Sequence, residues 1–160
     1  MSKIVEFIKK YRIRLTWIGL TLLAGGVGAL LAGGFDAYKT VQKPPLSPPA
    51  ILFPIVWTLL YILMGLAAGV IAESRDLYKG NALKLYLVQL LINILWPLLF
   101  FKLEAAKVAL FWLVLLVVAV IATIRLFRMI NNRAGLILLP YLAWCMFATY
   151  LNFGIVVLNS

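Results

Sequence analysis

The chain has 160 residues, 65% of them apolar and 12% charged, with a mean hydropathy of +1.06. Soluble domains carry about 25% charged residues, so a soluble globular enzyme is excluded. Fifteen Lys and Arg against five Asp and Glu give a net charge of +10, but the bases sit in short stretches between long apolar runs, as in a membrane-oriented chain, and no nucleic-acid partner is expected.

In chain order, Lys3, Lys9, Lys10, Arg12 and Arg14 precede the first apolar run, residues 15–31. Charge followed by an apolar run has the outline of a signal peptide. The run is longer than the usual 7–15-residue core of such peptides, so it is expected to be retained as a first span. Ala24, Gly28 and Ala32, beside Gly25, Ala29 and Gly33, form stripes of small residues that let helices approach closely. The next stretch, Lys43-Pro44-Pro45-Leu46-Ser47-Pro48-Pro49, holds four prolines in seven residues and is expected to be a stiff, extended loop. That loop could be a plain turn or a lid over the mouth of a bundle.

The second apolar run, 51–72, carries Pro54 near its start, where a missing N–H costs little. Phe53, Trp57 and Tyr61 share one of its helical faces, and Gly65-x-x-x-Gly69 is a further small-residue stripe. The third run, 85–101, aligns Gln89, Asn93 and Trp96, and Pro97 is expected to kink or open it. The fourth run, 108–124, is almost wholly aliphatic. The fifth, 136–158, starts near Pro140 and aligns Trp144, Ala148 and Leu151 or Asn152.

Each run has 17 to 23 residues and none contains a charged side chain. About 20 residues at ~1.5 Å each span a ~30 Å hydrocarbon core. The expected fold is all-α: a polytopic membrane protein whose five transmembrane helices form one domain over residues 1–160. Eleven Lys and Arg fall on the side of the N-terminus and four on the other. That asymmetry places the N-terminus in the cytoplasm and the C-terminus outside a bacterial cell membrane.

With no ionisable group in the spans, ion-coupled transport is not expected. The absence of histidine removes the commonest metal ligand and general base, so neither a metal site nor a hydrolytic site is expected. Cys145 is the single cysteine, which leaves no intramolecular disulfide. Gln89, Asn93 and Asn152 must point into the bundle, because an unbonded amide in hydrocarbon is costly. There they bond helix to helix or line a pocket. Interfacial aromatic belts account for Trp17, Tyr86 and Trp112.

Taken together, these pieces resemble one family. Lys43-Pro44 and Pro48-Pro49, then Phe53, Val56-Trp57, Leu60-Tyr61 and Met64-Gly65 are similar to the loop and second helix of the translocator protein family. This is also the tryptophan-rich sensory protein or peripheral benzodiazepine receptor group. Gln89-Leu90, Asn93, Trp96 and Phe100-Phe101 resemble its third helix. Pro140-Tyr141-Leu142-Ala143-Trp144, Phe147-Ala148-Thr149 and Leu151-Asn152 resemble its fifth. Three positions depart from the pattern: Ala37 precedes Tyr38 where the family has Trp, Leu46 replaces a loop Trp, and Phe153 replaces a Tyr with no basic residue after it. Cholesterol transport is therefore not carried over.

The resemblance implies a cavity within the bundle, closed by the loop between spans one and two. That cavity would take porphyrins (protoporphyrin IX, haem) and benzodiazepine or isoquinoline-carboxamide ligands. Its walls would be Tyr38, Pro48, Phe53, Trp57, Tyr61, Gln89, Asn93, Trp96, Phe100, Trp144, Phe147, Ala148 and Leu151. No cofactor is implied; a tetrapyrrole would be a ligand held by stacking and shape, with Tyr or Cys145 as the remaining iron ligands. The expected protein is a homodimeric receptor or carrier in contact with membrane lipid. One rival is a light- and oxygen-dependent porphyrin-degrading enzyme that uses Trp57 and Trp144, and another is a passive carrier of lipids or apolar metabolites.

Overall fold

A computed structural model describes residues 2–160. Its helices are α1 (Lys3–Ala32), α2 (Asp36–Thr40), α3 (Leu52–Glu73), α4 (Lys79–Pro97), α5 (Ala106–Ile130), α6 (Asn132–Ile137) and α7 (Leu139–Leu158). A π-helical turn, Leu98–Lys102, continues α4. Five helical stretches are long and apolar enough to cross a membrane: α1, α3, α4 with its π-turn, α5, and α6 with α7. The expected all-α, five-span membrane architecture is what the chain forms.

The first helix starts twelve residues before the first apolar run. Ser2 caps it by accepting from the Val5 N–H, and the basic segment that follows stays helical. At ~1.5 Å per residue, α1 is about 45 Å long, longer than the hydrocarbon core. It stops at Gly33, whose φ of 72° is in the left-handed region that an L side chain avoids.

Proline behaves as the sequence predicts. Pro54 lies in the first turn of α3 and Pro140 in that of α7. Pro97 has no N–H to give to the carbonyl one turn back. Beyond it the helix widens, and the Leu103 N–H bonds the Leu98 carbonyl five residues earlier at 3.0 Å. This widened turn brings Phe100 and Phe101 into the core.

Glycine determines how α1 meets α3. A Cβ on Gly65 would collide with the backbone of Trp17 and Ile18, and one on Gly69 with Arg14. These glycines serve packing inside one chain, where backbone contact replaces the hydrophobic drive that lipid does not supply. At the same end, Glu73 accepts from Arg14 Nε at 3.0 Å and from Nη2 at 2.9 Å, a forked ion pair between the two helices.

Tyr86 is not a belt residue. It is fully buried, shares a 2.6 Å hydrogen bond with Thr21, and packs edge-on to Trp17 and stacked on Phe127. Spacing on α4 explains this, because residues 86, 89, 93 and 96 lie on one face, and the amides that share it must face inward. Trp112 is half-buried and donates its indole N–H to the Ile92 carbonyl at 2.8 Å, joining α5 to α4.

Candidate functional site

Small residues of α1 and of the turn after it form one wall of a cleft. Gly25, Ala29, Ala32 and Gly34 face Phe53, Pro54, Trp57 and Tyr61 of α3, with Phe35, Trp96, Pro97 and Phe101 beyond them. The cleft holds about 190 Å³. Ala29, Gly34 and Pro54 are exposed, so it opens sideways between α1 and α3 toward the lipid. Gly25 is required here because an added Cβ would overlap the Tyr61 ring. Ligand pockets usually measure about 300–1,000 Å³, so a large flat ligand would enter only if these rings part.

The aromatic side chains around the cleft form two clusters. Phe53 lies edge-on to Tyr38 at 5.0 Å, to Trp144 at 6.0 Å and to Phe101 at 6.3 Å between ring centroids. Phe101 meets Phe35 and Phe100, and Trp96 stacks on Phe100 at 5.2 Å. Trp144 touches Phe147, which stacks on Tyr150. A second group joins Trp57 to Tyr61 at 5.5 Å, stacked, and to Tyr141 at 6.2 Å, edge-on. Tyr38, Phe53, Trp96, Phe100, Ala148 and Leu151 surround a second void of only about 10 Å³, so their faces are already in contact.

Below the rings runs a chain of buried hydrogen bonds. Tyr61 donates to Asn93 Oδ1 at 2.7 Å, Asn93 Nδ2 donates to the Tyr141 hydroxyl at 2.8 Å, and Tyr141 donates to Gln89 Oε1 at 2.7 Å. The chain links α3, α4 and α7, with each donor passing to the next acceptor. It leaves Gln89 Nε2 with no partner among the described residues, and the Trp144 indole N–H is the other such buried donor. Trp96 Nε1 donates to Asn152 Oδ1 at 3.2 Å, and Asn152 Nδ2 to the Ala106 carbonyl at 2.9 Å. The amides therefore bond helix to helix. Tyr61 brings the Asn93 chain to the cleft wall, and Trp96 does the same for Asn152.

The Pro-rich loop is a fastened strap. Tyr38, buried beneath it, donates to the Pro48 carbonyl at 2.5 Å, and burial raises its phenol above the usual value. Lys43 Nζ reaches the carbonyls of Tyr38 and Val41 at 2.9 and 3.1 Å. Three contacts tie the strap to α7. Pro44 lies on Gly154, Tyr150 donates to the Pro45 carbonyl at 2.8 Å, and Asn159 both accepts from the Gln42 N–H and donates to the Gln42 carbonyl.

The thirteen residues marked by the sequence thus fall into three places. Phe53, Trp57, Tyr61 and Trp96 line the cleft. Pro48 belongs to the strap, and Tyr38, Phe100, Trp144, Phe147, Ala148 and Leu151 lie under it or around the filled void. Gln89 and Asn93 sit in the network. Sequence reasoning missed Phe35, Phe101 and Tyr141 as members, along with the α1 wall. Tyr141 is one turn before Trp144 on α7, and that spacing was the available signal.

These features define a class: a five-helix integral membrane protein with an aromatic cleft, a Pro-rich strap fastened at the same end of the bundle, and no Asp, Glu, Lys or Arg side chain buried among the described residues. The TspO/MBR family profile matches residues 17–158, and the chain belongs to that family. It is 36% identical over 148 residues to the tryptophan-rich protein TspO of Chlorobaculum tepidum, covering 89% of this chain and 92% of that one. It is 39% identical over 149 residues to the protein of the same name from Archaeoglobus fulgidus, covering 86% and 97%. The translocator protein of Ovis aries is 33% identical over 144 residues, covering 85% of each.

Proposed function

We propose that this protein is a receptor or carrier for porphyrins, and for benzodiazepine- and isoquinoline-carboxamide-type molecules, which it holds within the helix bundle beneath the strap. The observation that carries the reading is the aromatic cleft that opens between α1 and α3. A flat apolar macrocycle gains most from stacked rings in a dry pocket, with a few polar groups to orient it. Trp57, Tyr61, Trp96 and Phe53 offer the rings, and behind them Trp144, edge-on to Phe53, has an indole N–H with no partner among the described residues. The strap covers the same end of the bundle, so entry and release proceed by its movement or through the lateral opening. The protein acts as a homodimer in a bacterial cell membrane, N-terminus inside and C-terminus outside.

The test is a titration of protoporphyrin IX and of haem into detergent-purified protein in the dark, read by tryptophan quenching. Saturable binding is expected, weakened about tenfold by Trp57→Ala. Unsaturable uptake that ignores this substitution would refute the reading.

One observation favours a second reading. Trp57 contacts Tyr61 and Tyr141, so three oxidisable rings meet, two of them on the cleft wall. An illuminated porphyrin bound there in the presence of dioxygen would have electron donors at hand, and the protein would then degrade its ligand.

A further inference from the structure

Away from the cleft, a groove of about 360 Å³ runs between α2, the start of α5 and the end of α7. Its walls are apolar: Phe100 at the base, then Val108, Ile155 and Val156. Its rim carries Glu104 and Lys107, both exposed and joined by no ion pair to each other. The uncharged run of α5 begins at Val108 and that of α7 ends at Leu158, so the groove straddles the boundary between hydrocarbon and headgroups. Val108 is 55% exposed and leaves the groove open to lipid. The first turn of α5, on the same rim, has neither a capping side chain nor an acidic residue.

We propose that this groove holds one zwitterionic phospholipid of the phosphatidylethanolamine class. The phosphate sits against Lys107 and the uncapped first turn of α5, which add two sources of positive potential. The ammonium sits against Glu104, and an acyl chain follows Val108, Ile155 and Val156 down the wall. Charge complementarity selects this lipid. A rim with Glu104 beside Lys107 matches a headgroup with one cation and one anion, whereas phosphatidylglycerol offers Glu104 only neutral hydroxyl donors and a net negative charge. The inference does not depend on what the cleft binds.

The experiment is native mass spectrometry of the full chain in detergent, doped with equal amounts of phosphatidylethanolamine and phosphatidylglycerol. One phosphatidylethanolamine per chain is expected to survive, about tenfold in excess of phosphatidylglycerol, as for one charged hydrogen bond. Glu104→Gln should bring the two lipids level, Lys107→Gln should lower both, and Val156→Trp should fill the groove and remove the adduct. If Val156→Trp fails to fold, Glu104→Gln, which leaves the apolar wall intact, decides alone. Equal retention of the two lipids by the parent, or a preference unmoved by Glu104→Gln, would show ordinary boundary lipid and overturn the proposal.

Discussion

Asn93→Ala is the sharpest test of how the interior is held together. The substitution removes two interhelical hydrogen bonds, one from Tyr61 and one to Tyr141. Such bonds average about 0.6 kcal/mol each inside membranes. It also leaves the Tyr61 hydroxyl, 8% exposed as a residue, without an acceptor, which costs a further ~1–3 kcal/mol. The expected loss is therefore about 2–4 kcal/mol, measured by reversible unfolding in mixed micelles. Tyr61→Phe in the same background removes the stranded hydroxyl, so the double variant should lose at least ~1 kcal/mol less than the two single losses combined. Additivity within about 0.5 kcal/mol would refute the reasoning, as would an Asn93→Ala variant as stable as the parent. Ligand affinity gives the companion measurement: a drop of roughly fivefold places Asn93 at the ligand, and an unchanged dissociation constant in a folded variant confines it to the network.

Further outcomes follow from other contacts. Gly65→Leu forces α3 away from α1 and should abolish thermal stability in detergent, whereas Gly26→Leu, whose added Cβ meets nothing within 4 Å, should leave the monomer's melting midpoint unchanged. Reporter fusions should place residue 2 in the cytoplasm and Ser160 outside; both ends on one side would refute the assigned orientation. Trp57→Phe and Trp144→Phe should keep most porphyrin affinity in the dark yet slow any light-driven loss of absorption, and unchanged decay would make these rings walls only. Tyr38 ionises above its ordinary value of 10 because burial disfavours the phenolate. Strap closure should therefore hold below pH 10 and weaken as pH rises through the raised value, a dependence of ligand release that Tyr38→Phe should remove.

The five spans were legible because each is a long uncharged run, and hydropathy reports that property directly. Their ends were less so. The first helix extends back through Lys3–Arg14 and α5 continues to Ile130, because charged side chains stop an apolar count but not a hydrogen-bonded backbone. The short helix Asp36–Thr40 was invisible between two turn-rich stretches. Among site residues, helical spacing marked Phe53, Trp57, Tyr61 and Trp96, which share the cleft. Hydropathy alone could not phase Tyr86, since a Tyr near a span's end suits either a belt or a core. The role of α1 was also hidden. Gly25 and Gly28 read as generic packing residues, yet one faces the Tyr61 ring and the other the backbone of Ile94.

The way α1 meets α3 has a mechanical consequence. The two helices are pinned where Gly65 abuts Ile18 and Arg14 grips Glu73, and they diverge around the cleft near Ala32. From Ile18 to Ala32 the lever arm is about 21 Å at ~1.5 Å per residue. A rotation of about 10° about the pinned end would separate the far ends by ~3.7 Å, close to the ~3.5–4.0 Å carbon–carbon contact distance of a stacked ring. A pair pinned at one end in this way would open like a hinged clip. A small angular change, with no helix unwinding, would widen the cleft by about the thickness of one ring.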